Sequence, residues 1–178
     1  MPLVIAAVAV VGVLCLLDLL LTFGVIRRLK EHTAMFAERG SLAPPVIGLA
    51  DGERPGAFSA MTTDGQHVDE STPLRLAAFL STSCSICPER VPLLLKYLTA
   101  HHIDRASVLA VVVGPDGEKA PYFESLAEVA QICIEPDEGD VSKAFRAAGY
   151  PAFCLLSADG TVLASGYDPQ MLPEPALA

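Results

Sequence analysis

The chain has no tryptophan and few aromatic residues, 6% in all, yet 52% of it is hydrophobic. Its apolar character is therefore mainly aliphatic, and it is concentrated at the N-terminus. Basic residues are scarce: 12 Lys and Arg stand against 21 Asp and Glu, for a net charge of −9. Residues 1–39 carry net +1 and the remainder net −10. A domain this acidic repels phosphate backbones, which excludes nucleic acid as a partner. It also repels anionic head groups. No internal repeat or low-complexity tract appears. Nothing basic precedes the first apolar run, whereas a cleaved signal peptide carries a basic n-region before an apolar core of about 7–15 residues. The five cysteines and four histidines form no complete metal-ligand pattern: one CxxC is present, and a zinc site built on it needs a second ligand pair.

The long apolar run itself, residues 3–26, contains one charge, Asp18. About 20 apolar residues cross a bilayer as a helix, so the expectation is a retained single-pass transmembrane anchor. A carboxylate near mid-span costs about 2.5–3.5 kcal/mol on insertion scales. Asp18 either contacts a partner helix or is a protonated acid outweighed by the surrounding Leu and Val. Arg27, Arg28 and Lys30 follow the span, and the positive-inside rule places what comes next in the cytoplasm. Residues 27–55 read as a juxtamembrane segment and linker, with Pro44, Pro45, Gly48, Gly52 and Pro55 clustered at its end.

Beyond that point the pattern becomes regular. Residues 57–61 and 66–68 flank Thr63-Asp64-Gly65, a hairpin signal. Residues 74–80 read as a buried strand and 88–101 as a helix with Val91, Leu94, Leu95 and Leu98 at helical spacing. Residues 107–113 are apolar throughout, as in a parallel sheet covered on both faces. A helix over 122–129, a short strand over 131–134, a helix over 141–148 capped by Asp140, and a hairpin of 152–156 with 162–166 complete the order. Strands alternating with helices, then a hairpin, specify an α/β domain with a mixed sheet.

Cys84-Ser85-Ile86-Cys87 lies at the junction of the first buried strand and the first helix. A helix N-terminus beneath Cys84 favours its thiolate, the reactive form, so the pair is a candidate for thiol-disulfide chemistry. Such chemistry on proteins lies mostly outside the cytoplasm, against the side that the basic residues indicate. Cys133 and Cys154 fall on inner strands, where core thiols are the simplest reading and a second disulfide or relay the alternative. Cys15 is an apolar filler in the span. His67 reads as an exposed strand residue. Glu135, Asp137, Glu138 and Asp140 read as a solvated turn ending in a helix cap, or as a divalent-ion loop.

With Pro92 five residues after Cys87, Gly149-Tyr150-Pro151 before a strand, and Asp159-Gly160 with Gly166 closing a hairpin, the chain resembles the thioredoxin-like superfamily. Within it, the chain resembles the membrane-anchored TlpA/ResA-type and MauD-like thiol-disulfide oxidoreductases. The resemblance covers residues 56–168 and leaves 169–178 as a flexible tail. The hairpin at 57–68 and the segment 115–134 look like the TlpA/ResA elaboration.

The resemblance implies an α/β thioredoxin-like fold with an N-terminal β-hairpin. It implies Cys84 as nucleophile and Cys87 as resolving thiol. Pro151 would be cis, and the Tyr150-Pro151 loop would bind an extended substrate chain. It implies no dissociable cofactor, protein disulfides or dithiols as substrates, and a membrane electron donor as a candidate partner. Departures from thioredoxin are Ser83 where Trp precedes the first Cys and Ala78 where a buried Asp assists the second thiol. Glu89 is then the nearby candidate proton acceptor. A MauD-like factor dedicated to one partner enzyme and a copper-binding chaperone are the alternatives. The latter family uses CxxxC with a distal His, which is missing. A peroxiredoxin is disfavoured because Ala77 and Ser81 stand where that family has Pro and Thr.

Overall fold

The computed structural model describes residues 48–175, together with Met1 and Gly12. The expected membrane span at 3–26 thus lies outside the described residues, apart from Gly12. Among the described residues no helix is long and apolar enough to cross a membrane.

Two short strands, β1 (Ser59–Met61) and β2 (His67–Asp69), pair antiparallel as the expected hairpin. Then follow β3 (Leu76–Ser81), α1 (Cys87–Ala100), β4 (Val108–Val113), α2 (Phe123–Val129), β5 (Gln131–Glu135), α3 (Asp140–Ala144), β6 (Ala152–Leu156) and β7 (Val162–Gly166). The five strands β3 to β7 build one sheet in the order β5-β4-β3-β6-β7. Strands β3, β4 and β5 run parallel, and β6 and β7 are antiparallel to their neighbours. This is the mixed sheet expected.

Every residue of β3 and β4 is buried, because the sheet is covered on both faces. Leu76, Ala78 and Leu80 join Val91, Leu94 and Leu98 of α1 and Leu126 of α2 on one face. Ala77 and Phe79 join Leu49, Val68, Val141 and Phe145 on the other. The Phe79 and Phe145 rings lie 5.2 Å apart at 52°, a tilted contact. Burying each such Leu, Val or Phe contributes about 1.5–3 kcal/mol. The parallel strands end at Ser81, Val113 and Glu135, side by side in register, and the CxxC lies just beyond that end.

The packed domain is longer than expected at both ends. Leu49 is 1% exposed, Gly52 donates to the Val162 carbonyl at 2.8 Å, and Val162 donates to the Glu53 carbonyl at 2.8 Å. Part of the expected linker therefore covers the edge of β7. At the other end, Pro169–Met171 form a 3₁₀ turn, Leu172 is buried, and the Tyr97 hydroxyl donates to the Pro173 carbonyl at 2.6 Å. The expected flexible tail instead packs on α1 through these residues. Single apolar residues among Gly and Pro carry no periodicity, so neither extension had a sequence signal.

The helix α3 also differs. It ends at Ala144 rather than 148, with Arg146 in a left-handed conformation at φ 50°. Asp140 does not cap it. The buried Glu135 carboxylate does, accepting from the Val141 N–H at 2.7 Å, the Ser142 N–H at 3.1 Å and the Ser142 hydroxyl at 3.0 Å. Gly139 lies so close to this carboxylate that a Cβ there would collide with it.

Candidate active site

The last residue of β3 starts the site. The Ser81 carbonyl accepts the Cys84 N–H at 3.1 Å, closing a turn that carries the chain from the strand to the helix. The Ser81 and Ser83 hydroxyls are 3.0 Å apart. Gly114 lies against this turn at φ +120°, and a Cβ there would collide with Thr82. Only glycine combines that backbone conformation with that approach. Pro88 opens the helix, where a missing N–H costs nothing. The helix continues through Pro92.

Cys84 and Cys87 form a disulfide with their Cα atoms 5.5 Å apart. The two sulfurs are unequal. Cys84 is half-buried, whereas Cys87 is fully buried among Leu80, Val91 and Leu94. The Cys87 N–H points at Cys84 Sγ from 3.1 Å. In the reduced state that donor, with the helix dipole behind it, stabilises a thiolate on Cys84. The Tyr150–Pro151 bond is cis, and the Tyr150 carbonyl oxygen lies 3.5 Å from Cys84 Sγ. The structure thus brings together all four residues singled out in the sequence: Cys84, Cys87, Tyr150 and Pro151.

Other candidates fall elsewhere. Glu89 lies exposed in the first turn of α1, where an acid complements the helix dipole. Ala78 contributes only a methyl group to the apolar layer around Cys87. Cys133 and Cys154 are buried free thiols on the opposite face of the sheet from Cys87. They sit on β5 and β6, three strand spacings apart, about 14 Å at the usual interstrand distance. A disulfide needs Cα atoms within about 7 Å, so these two cannot pair. Burial, with Glu135 adding to it, pushes the Cys133 thiol up to about 11. Burial, with Asp51 adding to it, pushes Cys154 up to about 12. Both stay protonated and unreactive near neutral pH.

His67 is exposed on β2 with its ring 3.0 Å from the Ser59 hydroxyl. Asp137, Glu138 and Asp140 face solvent while Glu135 turns inward. Among the described residues no group of three or more His, Cys, Asp or Glu is placed to hold a metal ion.

Two neighbours of the site had no distinct signal in the sequence. Tyr122 donates its hydroxyl to the Ser81 carbonyl at 3.1 Å across a separation of 41 residues. Arg90, in the second turn of α1, pairs with Asp168 at 3.3 Å and ties the helix to the segment after β7.

No protein-family model matches the chain. No curated protein sequence matches it either. Its structure is similar to the thioredoxin domain of a thiol-disulfide oxidoreductase from Bacteroides vulgatus, with a TM-score of 0.53 and 22% identity over 66% of this chain and 88% of that one. It is similar to a thio-disulfide isomerase from Thermus thermophilus, with a TM-score of 0.53 and 16% identity over 67% of this chain and 87% of that one. A thiol:disulfide interchange protein from Bacteroides sp. gives a TM-score of 0.53 and 22% identity over 68% and 86%. The described domain has the thioredoxin-like fold, with a CxxC disulfide at the start of its first long helix.

Proposed function

We propose that this chain is a thiol-disulfide oxidoreductase acting on protein disulfides and dithiols. The observation that carries the reading is the unequal pair: a half-buried Cys84 and a fully buried Cys87, bonded at a helix N-terminus and facing the cis-Pro151 loop. In the reducing direction the Cys84 thiolate attacks one sulfur of a substrate disulfide. A mixed disulfide forms and the other substrate sulfur leaves as a thiolate. The Cys87 thiolate then attacks Cys84 Sγ, closing the bond seen in the structure and releasing the second substrate thiol. Two electrons pass from the pair to the substrate, and the reverse sequence oxidises a dithiol. The couple itself carries the electrons, so no dissociable cofactor takes part. Tyr150 and Pro151 line the place where the substrate chain lies, with the Tyr150 carbonyl beside the reacting sulfur.

The C87S variant tests this assignment. It should accumulate mixed disulfides through Cys84, visible by mass spectrometry as adducts that dithiothreitol releases. Absence of adducts on Cys84 in a folded variant would reverse the two roles or remove them.

The apolar run at 3–26 is proposed to anchor the domain on the extracytoplasmic face of a membrane, where its substrates and a membrane electron donor meet it. Arg27, Arg28 and Lys30 favour the other side. A membrane-impermeant maleimide decides between them. After mild reduction it should label Cys84 in intact cells; labelling only after lysis would place the domain in the cytoplasm.

A further inference from the structure

The turn that presents Cys84 is held by a residue from outside the CxxC helix. Tyr122, just before α2, is 5% exposed, and its ring packs in the same cluster as Leu80 and Cys87. Its hydroxyl donates to the Ser81 carbonyl at 3.1 Å, the same carbonyl that accepts the Cys84 N–H at 3.1 Å. One oxygen therefore links the redox residue to a buried phenol. Burial pushes the Tyr122 hydroxyl above the ordinary tyrosine value, so it remains a neutral donor at working pH.

We propose that Tyr122 is a positioning residue for the redox pair, its hydroxyl anchoring the Ser81 carbonyl and thereby setting how readily the Cys84 thiolate forms. The inference rests on the redox reading above. A carbonyl oxygen is the negative end of a dipole, and beside Cys84 it opposes a thiolate. A donated O–H offsets that negative end. It also pins the turn, keeping Cys84 Sγ near the Cys87 N–H that stabilises it. The Ser81 hydroxyl closes the other side of the turn, 3.0 Å from the Ser83 hydroxyl and accepting the Ser83 N–H at 3.3 Å, so the Tyr122 phenol is the contact that reaches the Ser81 carbonyl from another element.

The Y122F variant removes the hydroxyl and keeps the ring. In the full-length protein, iodoacetamide alkylation of reduced Cys84 is followed against pH, and the Cys84–Cys87 couple is equilibrated with glutathione. Cys87, Glu89, Arg90, Asp168 and Tyr150, the other ionisable groups of this region, are unchanged between the proteins. The expected result is an upward shift of the alkylation profile by about half a pH unit, about threefold slower reaction below the midpoint. The glutathione equilibrium should move about threefold toward a more reducing couple, about 14 mV.

An L126A variant serves as the packing control, since Leu126 of α2 is fully buried and makes no contribution through a hydroxyl. It should lower Tm and leave the profile in place. A Y122F profile at the wild-type position overturns the inference, as does an L126A shift of equal size. Failure of the wild-type pair to exchange with glutathione would overturn the redox reading and this inference with it. Normal wild-type exchange with an unmoved Y122F overturns this inference alone.

Discussion

C84S should reduce disulfide exchange to the uncatalysed background, measured as insulin reduction with dithiothreitol as electron source. The hydroxyl that replaces the thiol is not ionised near neutral pH and is a poor nucleophile toward sulfur. Cys87 cannot take over, because it is fully buried beneath the first turn of α1. Cys133 and Cys154 cannot either. They lie on the far face of the sheet, with thiols pushed up to about 11 and about 12 by burial. Residual exchange in C84S that survives removal of Cys87 would show that another group performs the reaction. The fold of the variant should be intact, since Cys84 is half-exposed and its backbone N–H still reaches the Ser81 carbonyl.

The second large effect is on stability. E135A should destabilise the domain by about 2–4 kcal/mol, because two buried backbone N–H groups and a hydroxyl lose their acceptor at once. Val141 and Ser142 have no other intrahelical partner for those N–H groups at the start of α3. The helix carries Val141 and Ala144 into the core, beside Phe145, and it leads into the Tyr150-Pro151 loop. E135Q should cost less, since an amide oxygen still accepts. Urea denaturation followed by far-ultraviolet circular dichroism measures both. A loss in E135A below about 0.5 kcal/mol, the range of ordinary surface substitutions, would show that water or a neighbour replaces the carboxylate.

The acidic segment containing Glu135 shows where sequence reasoning stops. Glu135, Asp137, Glu138 and Asp140 look alike in a linear reading, and Asp140 stands in the usual capping position before an apolar run. The structure separates them by burial. Glu135 is the last residue of β5, and strand alternation turns its side chain inward to the helix start. Tyr122 is similar. In sequence it is one aromatic at the head of a short helical run; its hydroxyl acquires a partner only because α2 packs over the end of β3. The two buried cysteines were legible as core thiols, but their inability to pair follows from the order of the strands.

What sequence alone established is local. The apolar runs of β3 and β4, the spacing of Leu and Val in α1, and the hairpin of β6 and β7 around Asp159-Gly160 declare themselves within a few residues, because burial and turn chemistry act at that range. The CxxC at a strand-to-helix junction is likewise a local fact, and with it the candidate chemistry. Which sulfur is exposed, and what faces it, are long-range properties. Antiparallel pairing of β6 with β3 brings the Tyr150 carbonyl to Cys84 across 66 residues. Packing of α1 on the sheet buries Cys87 and leaves Cys84 reachable. The site forms at the end of the parallel strands because three separate segments converge there, and only closure of the sheet brings them within bonding distance.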